Sequence, residues 1–508
     1  MSATLPAVSP ASSTVAREPE HEAIIVGAGF GGMGAAIALK RMGIESILIL
    51  ERADDVGGTW HLNNYPGLAV DIASVTYSYS FEPNPQWSQV YAPGAELKGY
   101  ASKVADKYEL RKHVRFNASV EQVVYDEPNK LWTVQVAGQG TVTARILILA
   151  TGYLSRPCRP NIKGIDSFAG KVIHSAAWDH DYPLEGKRAA VIGTGATAVQ
   201  LVPEIAKKLG QLDVYQRTAI WVGPKNDWKI SSRVRKLFEW LPFTQKIARF
   251  FSTTLLEVLT VSAILHNKEL PFLTKIAERA CRLHLKRYIE DPALRRKLTP
   301  NYPFGCKRPT FSNLYYKAFA RPNVELVTDP IDHIEADGIV TADGRKRGID
   351  TLVLATGYSV WGRDGFHSII GKNGFELFDF WAKNRFEAYE GISIPGFPNL
   401  FYLPAPYSYT GLSYFFTIEG QMKHITRCLG ELKRRDARSF EPDEQANRAF
   451  VDQMRERFKS SVFIPGQCTA ANSYYFDPHG DPSLIRPTST LSALRRHDSF
   501  PLEHYHFE

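Results

Sequence analysis

EAIIVGAGFGG, residues 22–32, runs from four apolar residues that read as a buried strand into a glycine-rich turn. An Ala-rich helix is predicted from that turn to about Gly43, then a strand at Ile47–Leu50, completing a βαβ unit. Each glycine of Gly27-Ala28-Gly29-Phe30-Gly31-Gly32 has a mechanical part. Gly27 permits the tight turn, Gly29 lets backbone approach a pyrophosphate, and Gly32 lets helix and strand close together. Unpaired N–H groups at the helix start hold the anion. Glu51, ending the next strand, offers a carboxylate to ribose hydroxyls. A purely structural turn would not need strand, helix and acid in register, so the unit reads as a dinucleotide site.

The pattern recurs. RAAVIG, residues 188–193, is a second buried strand, followed by Gly193-Thr194-Gly195-Ala196-Thr197-Ala198, a helix over 197–209 carrying Gln200, and the strand Leu212–Tyr215. Here the strand ends in Gln216-Arg217-Thr218 and not in an acid. A guanidinium at this position grips a 2′-phosphate that a carboxylate would repel. The first site therefore suits FAD and the second NADPH, which implies hydride transfer from nicotinamide to flavin. Strand signals at 130–136, 145–150, 324–340 and 350–355, with Ala150-Thr151-Gly152 and Ala355-Thr356-Gly357 ending two of them, give an α/β class with parallel sheets. The fold expected is two Rossmann-like domains, for FAD and NADP, with a mostly helical insertion. Residues 1–20 read as a disordered leader. FAD-domain segments follow at 21–155 and 351–508, NADP-domain segments at 156–225 and 301–350, and the insertion at 226–300.

Composition bounds the rest. In 508 residues, 44% are hydrophobic and 22% charged, which excludes disordered and fibrous classes. The net charge of +8 suits an anionic ligand, while no nucleic-acid-binding motif or metal-ligand cluster is present. Five cysteines, none in a CxxC pair, predict a reducing, cytoplasmic setting without a disulfide framework, and exclude flavin disulfide reductases, whose Cys pair follows the first βαβ unit. No apolar run reaches transmembrane length. The nearest, Phe251–Leu265, carries Glu257 and reads as a buried helix, with a patch resting on a membrane surface as the sharper alternative.

Phe168, Gly170, His174 and Trp178 form FxGxxxHxxxW just before the second βαβ unit. With GGTWHLNNYPGLAVD at residues 57–71, a match to GGxWxxxxYPGxxxD, the chain resembles the Baeyer–Villiger monooxygenases over about residues 22–480. The resemblance implies that Gly58, Thr59, Trp60 and Tyr77 lie against FAD and Asp71 under the flavin ring, with Val123 also counted among the FAD contacts. In YPFGCKRP, residues 302–309, it implies that Lys307 joins Arg217 and Thr218 on the 2′-phosphate side and that Arg308 faces the flavin as a catalytic residue paired with Asp71. His174 is expected to orient the linker between cofactor domains. The resemblance further implies a small-molecule ketone and O2 as substrates, oxygen insertion through a C4a-peroxyflavin to give an ester or lactone, and a monomer or small homo-oligomer. A flavin N- or S-monooxygenase and an uncoupled or redox-sensing flavoprotein are the alternatives. Three places depart from the family: Ala69 where many members have Arg, Pro404–Ser408 in place of a Gly-Pro-x-Ser loop, and Tyr474 where several have a nucleotide-contacting Trp. These regions are expected to line the substrate side.

Overall fold

The computed structural model describes residues 18–362, 368–464 and 466–508, so most of the expected leader lies outside the described residues. Two sheets dominate. In the first, His21–Val26 lies parallel between Ile47–Leu50 and Gly140–Leu149, with Ala23 opposite Ile47 and Ile146. Gly140–Leu149 continues through antiparallel Leu131–Val136 to Val120–Asp126, and the late strands Ser368–Ile370 and Leu400–Tyr402 add parallel to Val120–Asp126 and Gly140–Leu149. The central strands are buried on both faces, which is why they read as continuous apolar runs. On one face the helix Phe30–Arg41 is crossed by Tyr414–Arg434. Their approach is so close that a Cβ on Gly34 would stand 2.6 Å from Ile418.

The second sheet is all parallel, in the order Val324–Val327, Gln211–Tyr215, Arg188–Ile192, Thr351–Leu354, Lys171–His174. Its strands fall between those of the first sheet in the chain, so the second unit is inserted in the first. Thr351–Leu354 corrects the boundary expected at residue 350. It is the strand beside Arg188–Ile192, and its burial against both neighbours, not its place in the chain, decides where it belongs.

The two units share one construction. Gly27 and Gly193 both have positive φ (106° and 117°), and a Cβ on each would meet the carbonyl oxygen of Ala150 (2.6 Å) or Ala355 (2.4 Å). Each Ala-Thr-Gly segment thus closes over the glycine turn of its own unit. A side chain at either position would strain the backbone and collide with it.

Helices fill 232–297, as expected of the insertion. The apolar run, however, is longer and less buried than its sequence suggests. Pro242–Leu256, a π-helical turn Glu257–Val261 and Ser262–Leu265 make one rod long and apolar enough to cross a membrane, and its outer face is exposed. Amphipathic spacing cannot say which neighbour covers a helix, and here none of the described residues covers that side. The absence of disulfides is also overturned: Cys306 and Cys468 are bonded, 162 residues apart. Sequence spacing carried no signal for a pair that only folding brings together.

Candidate functional site

Between the two sheets lies a cleft of about 1300 Å³. On the first-sheet side its wall is the turn Gly27, Gly29, Phe30 and the end of the next strand, Glu51. Gly29 is the N-cap of Phe30–Arg41 with no side chain capping the first turn, so the helix N–H groups face the cleft unspent. Gly32 stays behind this wall: its Cβ would stand 1.9 Å from the Gly27 carbonyl oxygen, which is the close helix–strand contact expected of it. Glu51 accepts from the N–H of Ala28 (2.7 Å) and of Ala53 (2.9 Å), so one carboxylate both pins the turn and lines the cleft.

Gly58 faces Gly29 across the cleft, so close that a Cβ on Gly58 would lie 3.0 Å from the Gly29 Cα. Thr59 and Trp60 follow on a short helix, and Trp60 Nε1 donates to the Tyr77 hydroxyl (3.3 Å). All four, with Tyr77, line the cleft. Val123 does not. It is buried in the core between Val134 and Ile369, and the strand reaches the cleft three residues earlier, at Val120, beside Ser119 and Ala118. A strand's side chains alternate between faces, and position 123 falls on the core side.

Gly193, Thr194, Gly195, Ala196, Thr197 and Gln200 line the opposite wall. Gly195 caps Ala196–Ile205 with its first turn again unspent, Thr194 Oγ1 donates to the Thr218 carbonyl (2.8 Å), and Ala198 is buried behind as packing. Gln200 has a further task. Its amide accepts from the Tyr65 hydroxyl (2.9 Å) and donates to the Ala69 carbonyl (2.9 Å). Gly67, at φ +84°, lies so close that a Cβ would meet the Gln200 carbonyl at 2.6 Å. Tyr65-Pro66-Gly67 is therefore the seam on which the second unit is seated.

Arg217, exposed, and Lys307, half-buried, stand near each other at the end of this wall, and neither forms an ion pair among the described residues. Burial, reinforced by the Arg217 charge, depresses the Lys307 ammonium to about 8. Two cations gathered without an acid are a seat for a multiply charged anion. Tyr474 lines the same region, its carbonyl held by Trp361 Nε1 (3.0 Å), and Asn472 donates to the Thr218 hydroxyl (3.1 Å). The Cys306–Cys468 bond joins the segment bearing Lys307 to the loop bearing Tyr474.

Deeper in, Arg308 makes a two-pronged pair with Asp71, Nε to Oδ2 at 2.6 Å and Nη2 to Oδ1 at 2.8 Å, and Nη1 donates to the Tyr409 hydroxyl at 2.5 Å. Burial alone would raise the Asp71 carboxyl. The Arg308 charge overcomes it and holds Asp71 below its ordinary range, while Asp71 in turn keeps Arg308 protonated. The pair forms the wall between the large cleft and a small apolar recess lined by Leu256, Val261, Ile264, Leu265, Leu412 and Phe463. The insertion rod thus supplies one side of that recess, at its π-helical turn.

Phe168, Gly170, His174 and Trp178 stay out of the cleft. His174 ends the outer strand of the second sheet. Its Nδ1 accepts from Ala176 N–H (3.1 Å), its Nε2 lies 3.5 Å from Thr356 Oγ1, and Thr356 donates to the Cys158 carbonyl. The chain through 151–162, which lines the cleft between the sheets, is tied down by the Thr356 contact with the Cys158 carbonyl. Of the departures from the family, Ala69 and Tyr474 line the cleft, but Pro404–Ser408 is buried core, and the cleft is reached only at Tyr409. Tyr409 and Tyr414, both cleft residues, were not legible in the sequence, because no motif surrounds them. Tyr153, directly after Ala150-Thr151-Gly152, and Arg52, beside Glu51, are missed cleft residues that a motif's neighbourhood could have suggested.

Residues 24–269 match the pyridine nucleotide-disulphide oxidoreductase family model. The chain is 39% identical over 96% of its length to a Baeyer–Villiger monooxygenase of Streptomyces coelicolor, covering 93% of it. It is also 39% identical over 89% of its length to one from Pseudomonas aeruginosa, covering 85%. Among solved structures it resembles OTEMO in complex with FAD and NADP, with a TM-score of 0.85 at 28% identity over 97% of this chain and all of that one.

Proposed function

Because this chain belongs to the Baeyer–Villiger monooxygenases, flavin enzymes that use NADPH and O2 to turn ketones into esters or lactones, we propose that Arg308, fixed by Asp71 and Tyr409, is the charge that stabilises the oxyanion developing on the substrate. The observation that carries this reading is the half-buried, bidentate Asp71–Arg308 pair on the wall shared by the cleft and the apolar recess.

The cleft fits both cofactors. Two uncapped helix starts, each behind a glycine turn that no side chain could enter, suit two pyrophosphates, and the Arg217–Lys307 couple suits a 2′-phosphate. Gly27, Gly29, Phe30, Glu51, Gly58, Thr59, Trp60 and Tyr77 would hold FAD. Gly193 to Thr197, Arg217, Thr218, Lys307 and Tyr474 would hold NADPH. When bound, FAD supplies the activation of O2 with electrons from NADPH.

The protein must then supply positive charge and dryness. A guanidinium stays charged at any working pH. Asp71 and Tyr409 use one N–H on each of its three nitrogens, which leaves one N–H on each terminal nitrogen free for the substrate. Pairing with Asp71 offsets the cost of holding the half-buried charge partly out of water. A charge already aimed where negative charge develops needs no reorganisation during the reaction, and one such donor contributes about 2.7–4 kcal/mol. The apolar recess beside Arg308 favours a hydrophobic ketone.

The test is NADPH consumption by the FAD-loaded protein with linear, cyclic and aryl ketones, with products identified by gas chromatography and mass spectrometry. Ester or lactone in proportion to NADPH supports the assignment. Sulfoxide without ester, or hydrogen peroxide alone, overturns it in favour of soft-nucleophile oxygenation or an uncoupled oxidase.

A further inference from the structure

The outer face of the insertion has no partner among the described residues. On the rod Pro242–Leu265, Phe243, Ile247, Phe250, Phe251, Leu255 and Leu259 recur at helical spacing and are all exposed, Phe250 by 64% and Phe251 by 66%. Trp240, at 77% exposure, ends the preceding helix Ser232–Trp240. Phe272, Ile276 and Leu283 repeat the pattern on Pro271–Tyr288. Single exposed apolar residues are ordinary, but a continuous patch of this kind marks a contact surface.

Charge says what contact. Residues 229–297 hold 15 of the 61 Lys and Arg and 6 of the 53 Asp and Glu, so this stretch carries +9 and the remainder of the chain −1. Lys229, Arg233, Lys236, Lys246, Lys275 and Arg279 are exposed among the apolar side chains, and among the described residues none is in an ion pair. Glu239, Glu269, Glu290 and Asp291 are the exposed acids of this stretch. A second copy of the chain set against this face would oppose like charge with like charge. A surface of anionic headgroups over acyl chains meets both needs, taking Lys and Arg at the phosphate level and Phe and Leu beneath it, with Trp at the boundary.

The rod is long enough to span a bilayer, but its inner face is committed to the protein. Gln245 donates to the Asn84 carbonyl (2.8 Å), Arg249 to the Ser78 carbonyl (2.7 Å), and Thr490 N–H to Glu257 (2.7 Å). It can therefore lie on a membrane and not cross one.

We propose that the insertion docks this enzyme on an anionic bilayer surface, with the outer face of Pro242–Leu265 in the interface. The inner face of the same rod walls the apolar recess at Arg308. If that recess receives the ketone, as the reading of the preceding subsection has it, a substrate dissolved in lipid has a short path to it.

Full-length, FAD-loaded protein is sedimented with vesicles of phosphatidylcholine alone and of phosphatidylcholine containing one third phosphatidylglycerol. Neither NADPH nor ketone is present, so failure of docking and failure of the catalytic reading are distinguishable. Binding to the anionic vesicles is expected to exceed binding to neutral ones by about tenfold or more and to weaken as salt is added. The triple variant F250S/F251S/L255S should bind at least about tenfold less while keeping its FAD and its turnover of a water-soluble ketone. K275E/R279E, which leaves the apolar face intact, should lose the preference for anionic vesicles. No sedimentation with anionic vesicles at low salt overturns the proposal. So does a concentration-dependent dimer that the triple variant dissolves, which would assign the face to a second copy.

Discussion

Arg308 and Lys307 are neighbours in the chain with opposite electrostatic circumstances. Arg308 has Asp71 against it, so its half-buried charge is compensated. Lys307 is held down to about 8 by burial and by the Arg217 charge, with no ion-pair partner among the described residues. Arg308→Ala is expected to leave NADPH-driven flavin reduction intact in stopped-flow absorbance while lowering ester formation by about 100-fold or more. Unchanged ester yield would remove Arg308 from the chemistry. For Lys307 the sign runs one way. A phosphate favours the ammonium, so affinity for NADPH is full below about pH 8 and is lost as pH rises through it. The KM for NADPH should rise above that pH by up to about tenfold per unit, and Lys307→Arg, which does not titrate there, should flatten the profile. Arg217→Ala should shrink the preference for NADPH over NADH by about 10- to 100-fold, read from the ratio of kcat/KM values. An unaltered ratio would place the 2′-phosphate elsewhere.

The glycine turns act as elements, each made of a strand end, a turn, an uncapped helix and an Ala-Thr-Gly segment laid over it. Gly27→Ala must place a methyl group against the Ala150 carbonyl at positive φ, and the protein is expected to purify without yellow FAD absorbance. The seam Tyr65-Pro66-Gly67 is a different kind of element. Its side chain and backbone contacts with Gln200 position one cofactor wall against the other. Gly67→Ala should bind each cofactor and yet transfer hydride slowly, because small displacements of reacting groups are costly. A normal flavin-reduction rate in that variant would show that the seam is not needed for alignment.

Over the whole molecule, two deeply buried histidines of the C-terminal core contribute to acid sensitivity. His497 is buried against His424, and burial, reinforced by the Arg486 charge, depresses it to about 3. His424 is also held well below its ordinary value, by burial and the charge of His497. Unfolded, both would take a proton near pH 6.5, so the unfolded chain binds more protons and stability falls as pH drops below that value. Each contributes about 1.4 kcal/mol per pH unit, and His497→Gln should lower the slope of denaturation midpoint against pH by one proton's worth. A slope equal to that of the unsubstituted protein would place the acid-sensitive groups elsewhere. Which parts of this molecule the sequence could reveal follows from range. Strand, turn and helix in EAIIVGAGFGG and RAAVIGTGA are set by residues within a few positions of one another, so both βαβ units and their two nucleotides were legible before folding, whereas Lys307 and Arg308 stood out only through the family resemblance. Long-range contacts were not. Tyr409 reaches Arg308 from 101 residues away, Cys306 meets Cys468 across 162, and Thr351–Leu354 enters the second sheet because a gap between two distant strands accepts it. Val123 and Pro404–Ser408 turn inward because the surrounding core covers them, and the outer face of the insertion's apolar rod stays exposed because none of the described residues covers it. Local chemistry determined what each segment could be. Tertiary structure decided which faces are covered, since coverage depends on groups that the chain brings together only when folded.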